Sequence, residues 1–165
     1  MYTRFFVAIV TCFLGTAALA QPVVPGGGGG QTATLQRVTA EDVAGIIRKA
    51  APKLEVEPIK VGELPALVVK GWRGFNVGIL FYGCKAEGCI SMQILTVGKA
   101  PSQMDLEYVN KWNSKWRFTK LYLDTDKQYH LDMDVIAQGG VTADNVLANL
   151  SAYDWFLVEL SGGQH

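Results

Sequence analysis

The 165-residue sequence has little of what most often points to a function. It contains only two histidines, His130 and the terminal His165, and only three cysteines, Cys12, Cys84 and Cys89. Neither sign of charge is in excess: fifteen Lys and Arg stand against fifteen Asp and Glu. No overall field therefore draws in nucleic acid or an anionic membrane, and no nucleic-acid partner is expected. Catalytic signatures are also missing. There is no Gly-x-Ser-x-Gly elbow, no His-Glu-x-x-His and no dinucleotide glycine pattern. The five glycines Gly26 to Gly30 are not a phosphate loop, because no Gly-Lys-Ser/Thr follows them and no strand precedes them. What is present is 49% hydrophobic and 18% charged. That suits one globular domain and excludes a collagen-like chain, a mainly disordered chain and a disulfide-dense miniprotein.

The N-terminus reads as a processing segment. Arg4 is followed by an apolar stretch from Phe5 to about Ala18, with small residues at Ala18 and Ala20. This is the pattern of a signal peptide cleaved after Ala20, shorter than the ~20 apolar residues that span a bilayer. Export to the periplasm or the exterior is the expectation, with no stable membrane insertion afterwards. Residues 21–36, with Pro22, Pro25 and the glycine run, offer almost no apolar surface to offset the entropy of ordering and read as a flexible linker. The folded domain is expected over 37–162. Losing Arg4 and Cys12 leaves fourteen basic against fifteen acidic side chains and a single pair of cysteines.

Within the domain, three segments open with a hydroxyl residue and a polar partner three positions on: Thr39 with Asp42, Ser102 with Asp105, and Thr142 with Asn145. Each predicts a helix start, where the hydroxyl accepts from an unpaired N–H of the first turn. Apolar residues then recur at helical spacing: Val43, Ile46, Ile47 and Ala50; Leu106, Val109 and Trp116; Val146, Leu150, Tyr153, Leu157 and Leu160. Between them the period changes to two. Ala66 to Lys70, Phe75 to Tyr82, Cys89 to Val97, Phe118 to Leu123 and Tyr129 to Ile136 are predicted strands. The expected order is α-β-β-β-α-β-β-α. Short connections make the strand pairs antiparallel, so the fold class is α+β with the helices packed mainly on one face of the sheet.

Cys84 and Cys89 flank a loop of hairpin length. If they face each other, Phe81 lies opposite Met92, Ile79 opposite Ile94 and Val77 opposite Thr96 on one face. Tyr82 with Ser91 and Leu80 with Gln93 fall on the other. An apolar and a more polar face separate cleanly only in this register. In an oxidising compartment the pair is expected to form a disulfide, worth about 2 kcal/mol for so short a loop. A redox centre more often shows Cys-x-x-Cys, and zinc needs two further ligands that the chain does not offer nearby.

Asp124, Asp126, Asp132 and Asp134 crowd the last hairpin with His130. On a strand His130, Asp132 and Asp134 share a face, which makes them the candidate site for a metal or acid/base chemistry. A solvated face with cross-strand charge pairs is the plainer alternative. A loop from Asp124 to Gln128 puts Lys120 opposite Asp132 and Tyr122 opposite His130; a loop from Asp124 to Asp126 puts Lys120 opposite His130. Trp112, Trp116 and Trp155 read as core aromatics rather than a ligand groove. Lys111, Lys115, Arg117 and Lys120 form a small basic patch, read as a solvated face.

The string Val109-Asn-Lys-Trp-Asn-Ser-Lys-Trp-Arg-Phe-Thr-Lys-Leu-Tyr-Leu-Asp124, followed by Asp132-Met-Asp134 and Gly139-Gly-Val141, resembles the YbjN-domain family of bacterial sensory transduction regulators. Gly83-Cys84 and Cys89 with Ser91-Met-Gln93 resemble members carrying a cysteine pair. The resemblance implies a fold like that of type III secretion chaperones, and no established catalytic residue, metal or cofactor. Asn110, Asn113, Arg117 and Asp124 match its motif and are expected to be structural, organising the end of the second helix and the start of the hairpin turn. The functional expectation is an exported, non-enzymatic binding or chaperone-like domain engaging a protein partner, with a homodimer as one form this could take. A small-ligand sensor is the alternative, and a hydrolase or metal enzyme built on His130, Asp132 and Asp134 a third.

Overall fold

In the computed structural model, residues 34–162 are described. The expected signal peptide, His165 and nearly all of the expected linker lie outside them. The linker's last residues are an exception. Thr34–Leu35 form β1, paired antiparallel with β8 at Val141–Thr142. The other strands are β2 (Glu55–Val61), β3 (Leu64–Trp72), β4 (Phe75–Tyr82), β5 (Ser91–Lys99), β6 (Lys120–Leu123) and β7 (Gln128–Ile136). They form one antiparallel sheet in the order β2-β3-β4-β5-β7-β6. The helices are α1 (Ala40–Ala50), α2 (Leu106–Lys115) and α3 (Ala143–Leu160).

The α+β class and antiparallel pairing match the expectation, but the sheet has one strand more. Glu55–Val61 carries charges and a proline, signals that argue against a strand. It is tolerated because β2 is an edge. Arg48 donates to Val56 O at 3.3 Å from outside the sheet, so the even residues of β2 turn their backbone groups outward. Pro58, on that same side, has no N–H to lose from the ladder.

Two of the three caps are where the hydroxyls place them. Thr39 makes a full capping box with Asp42, and Thr142 Oγ1 accepts from Asn145 N at 3.1 Å. The second helix differs: its cap is Asp105, which accepts from Tyr108 N at 2.8 Å, and Ser102 stands outside. Leu106 is therefore the first helical residue and is exposed, while Val109 and Trp112 supply the buried stripe. Phe118, expected to open a strand, instead sits in the preceding turn with φ 71°, so β6 starts at Lys120.

The cysteine-derived register holds residue by residue: Tyr82↔Ser91, Phe81↔Met92, Leu80↔Gln93 and Ile79↔Ile94. Val77, Ile79, Phe81, Met92, Ile94, Leu131 and Leu121 are buried with Val43, Ile47, Val146, Leu150 and Leu157 of the helices in one core. Tyr153 of α3 seals its centre. Its hydroxyl donates within this core to Leu131 O at 2.8 Å and meets Thr96 Oγ1 at 2.9 Å. A one-residue shift in the β3–β4 pairing, between Val69 and Trp72, brings both onto the core side. Gly71 takes the positive φ of 72° that this bulge needs. The helices thus cover one face of the sheet.

Candidate functional site

Alternation along the strands assigns the residues of the other face. β2 contributes Glu55, Glu57, Ile59 and Val61; β3 contributes Ala66, Val68 and Lys70; β4 contributes Gly78, Leu80 and Tyr82. β5 contributes Ser91, Gln93, Leu95 and Val97, and β7 contributes His130, Asp132, Asp134 and Ile136. Lys120 and Tyr122 of β6 complete it. Its middle is apolar and half-buried at Val68, Leu80 and Leu95. Leu95 leans over Gly78, where an added Cβ would meet the leucine side chain at 3.3 Å. Ile59 and Val61 on the edge strand β2, and Val97 and Ile136 near the ends of β5 and β7, are 40%, 49%, 40% and 74% exposed.

The longer turn is the one adopted, and Lys120 pairs with Asp132 and Tyr122 with His130. His130, Asp132 and Asp134 share this face as expected, yet each has a different partner. His130 Nε2 lies 2.9 Å from Asp124 Oδ2, and its ring stacks on Tyr122 with centroids 4.6 Å apart. Asp134 Oδ1 accepts from Gln93 Nε2 at 3.2 Å, and Gln93 in turn accepts from the Tyr82 hydroxyl at 3.2 Å. Asp132 lies between Leu95 and Lys120 and is 5% exposed, so the face is not uniformly solvated. Burial raises its pKa, and the nearby Lys120, whose Nζ is 3.6 Å away, and His130 only partly oppose that. Asp124 moves the other way, held low first by His130 and then by the backbone N–H of Gln128. Among the described residues no group of three or more His, Cys, Asp or Glu side chains is placed to hold a metal ion.

A family model described as "Putative bacterial sensory transduction regulator", YbjN, matches residues 40–154. The chain belongs to the YbjN family. No curated protein matches it. The matched span runs from the first residue of α1 into α3 and contains the whole sheet.

The motif residues of this YbjN domain have distinct places. Asn113 reaches from α2 to the outer edge of β6, where Oδ1 accepts from Leu121 N at 2.9 Å and Nδ2 donates to Leu121 O at 2.8 Å. It replaces a neighbouring strand at that residue, a role that needs the tertiary fold and is invisible in the sequence. Asp124 organises the turn, with Oδ1 accepting from Asp126 N at 2.9 Å and Gln128 N at 2.8 Å. Asn110 is exposed on α2, and the Arg117 guanidinium lies 4.8 Å from the Phe118 ring centroid. Trp112 is buried and donates to Thr119 Oγ1 at 3.2 Å; Trp116 is half-buried and Trp155 is 43% exposed. Cys84 and Cys89 are joined as a disulfide. The loop they close docks on the segment before α1: Val38 and Cys89 exchange backbone hydrogen bonds of 3.0 and 2.8 Å, and Arg37 donates to Gly83 O and Gly88 O.

One constellation had no sequence signal. Asp154 of α3 accepts from Trp72 Nε1 and from Arg73 Nε and Nη2, all at 2.8 Å, across more than eighty residues of chain. Arg73 first, with Trp72 assisting, lowers its pKa against the cost of burial. Beside it a hollow of ≈290 Å³ opens between α1 and α3, lined mainly by Ile47, Ala50, Leu54, Trp72 and Leu150.

Proposed function

We propose that this YbjN domain is an exported, non-enzymatic binding module that holds a segment of a protein partner on its uncovered sheet face, in a chaperone-like or regulatory role. The observation that carries this reading is where exposed apolar mass collects. Of the seven large hydrophobics exposed among the described residues, four (Ile59, Val61, Val97 and Ile136) belong to this face. An apolar strip bordered by Tyr82, Gln93 and Asp134 offers both burial and hydrogen-bond partners to an extended chain. The sheet edges favour the face over strand addition, since Pro58 and Arg48 blunt β2 and Asn113 occupies the edge of β6. Export is supported by the N-terminal sequence pattern and by the cysteine pair. Photo-crosslinkers at Val97 and Ile136, compared with one at Glu41 on α1, test the reading in cells. The expected result is one polypeptide adduct shared by the two face positions and absent from Glu41; an adduct of twice the chain's mass would make the partner a second copy. No adduct at the face, or the same adduct from Glu41, would overturn it.

The ≈290 Å³ hollow beside Trp72 favours a second reading, a small-ligand sensor. Its signature is a change in tryptophan emission, lost in Trp72→Phe, on adding a small apolar metabolite.

A further inference from the structure

The three remaining exposed hydrophobics are Leu106, Phe118 and Trp155, which lie on α2, in the turn after it and on α3. Two of them are aromatic: Phe118 has the Arg117 guanidinium over its ring, and Trp155 packs on Trp116, which has Lys115 over its ring. Lys111 and Lys115 are one helical turn apart on α2 and both exposed. They line a shallow hollow of ≈180 Å³ with Tyr108, Trp112, Trp116 and Glu159. Lys115 Nζ stands 3.9 Å from the Trp116 ring centroid, and Trp155 packs edge-on against Trp116 at 4.7 Å. The chain then passes through Arg117 to Phe118, which is 68% exposed in a left-handed conformation that a bulky residue rarely adopts. Lys120 lies apart, turned to the sheet face and paired with Asp132.

From these observations we propose that the C-terminal end of α2, the Arg117–Phe118 turn and Trp155 form a docking surface for anionic phospholipid headgroups. Charge complementarity argues for this occupant. Lys111 and Lys115 line the hollow against one carboxylate, Glu159, and Arg117 follows next in the chain with its guanidinium over the Phe118 ring. The chemistry agrees, since Trp, Tyr and Phe with an amphipathic stem of Lys or Arg beside them settle at the boundary between headgroups and acyl chains. A shallow hollow on a helix end suits a fluid layer better than a shaped peptide groove. The chain as a whole carries no net charge, so the attraction is local and confined to about a Debye length, ~10 Å at 0.1 M salt. The surface is separate from the sheet face and stands whether or not that face holds a protein.

The test is co-sedimentation with vesicles containing phosphatidylglycerol, compared with phosphatidylcholine alone, at low and high salt. Residues 1–20 are removed so that their apolar run cannot itself partition, which leaves the described residues 34–162 untouched. The expected result is sedimentation with the anionic vesicles only, a blue shift of tryptophan emission, and release by salt. Neutralising each lysine should weaken partitioning about fivefold, so K111Q/K115Q should lose roughly thirtyfold. Phe118→Ser should weaken it with the thermal midpoint unchanged, which separates lost docking from lost folding. No partitioning into anionic vesicles at low salt would overturn the proposal. So would partitioning that K111Q/K115Q leaves intact, or that depends on Val97 and Ile136 instead.

Discussion

The sheet face and the end of α2 both expose apolar side chains, but in different company. On the sheet face the exposed groups are aliphatic and lie among carboxylates, with Asp132 and Asp134 in adjoining cross-strand rows. At the end of α2 they include two aromatics, beside lysines and an arginine. The supports differ as well. The sheet face is held by backbone ladders, and its one buried charge is poorly solvated. The α2 end is held by aromatic edges packed on the buried Trp112. A chain with no net charge therefore carries two surfaces of opposite local sign, and composition averages them away.

Six substitutions sharpen or break that comparison. The largest effect is expected from Trp112→Ala, which empties the pocket under the aromatic cluster and orphans Thr119. A loss of about 3–5 kcal/mol in denaturant unfolding is expected, and a loss below about 1 kcal/mol would show that the cluster is not anchored there. Asn113→Ala comes next. Leaving Leu121 N–H and C=O without their partner should cost about 2 kcal/mol and raise amide exchange at Leu121, while the core strands keep their protection.

Two carboxylates should then show opposite pH signs. The pKa of Asp132 is raised by burial, so the folded state holds its proton more tightly than the unfolded chain does. Stability is lost as pH rises through the raised value and regained below it. Asp132→Asn should therefore stabilise the protein at neutral pH, with the gain vanishing in acid. Asp154 is held low by Arg73, so its contribution is present above the unfolded pKa and lost as pH falls through the folded one. Asp154→Asn should destabilise at neutral pH and flatten the acid limb of the stability curve. Thermal melts across the acid range check both, and equal signs would remove the contrast. The smallest effects belong to Ile136→Ser and Phe118→Ser. Each should change stability by no more than about 0.5 kcal/mol, because both side chains already stand in solvent; a larger loss would mean that they pack rather than await a partner.

Much of the fold was legible in local chemistry. Thr39 and Thr142 announce helices because a capping hydroxyl acts within one turn. Cys84 and Cys89 set the hairpin register because side-chain alternation leaves a one-residue slip no good solution. The same reasoning fails where an effect is non-local. The Glu55–Val61 strand carries no such local signal, because Pro58 is disfavoured in strands generally and tolerated only at an edge, and edges are a property of the whole sheet. Asp105 displaced Ser102 as the cap since both offer an oxygen and the helix start follows the burial of Val109 and Trp112. His130, Asp132 and Asp134 were placed correctly on one face, but their separate partners, Asp124, Lys120 and Gln93, come from the turn and from two other strands.

By itself, then, the sequence determined the α+β class, two helix starts, the disulfide hairpin and which residues share a strand face, because those depend on periodicities of 3.6 and 2 and on contacts within a few residues. It also contained the motif of the YbjN family. Only the tertiary structure decided that Asp132 is buried, that Asn113 stands in for a strand, that Asp154 joins Trp72 to Arg73, and that aromatics and lysines meet at one end of α2. Each of these is a meeting of residues distant along the chain, and burial and pairing are set by what the completed sheet and helices bring together.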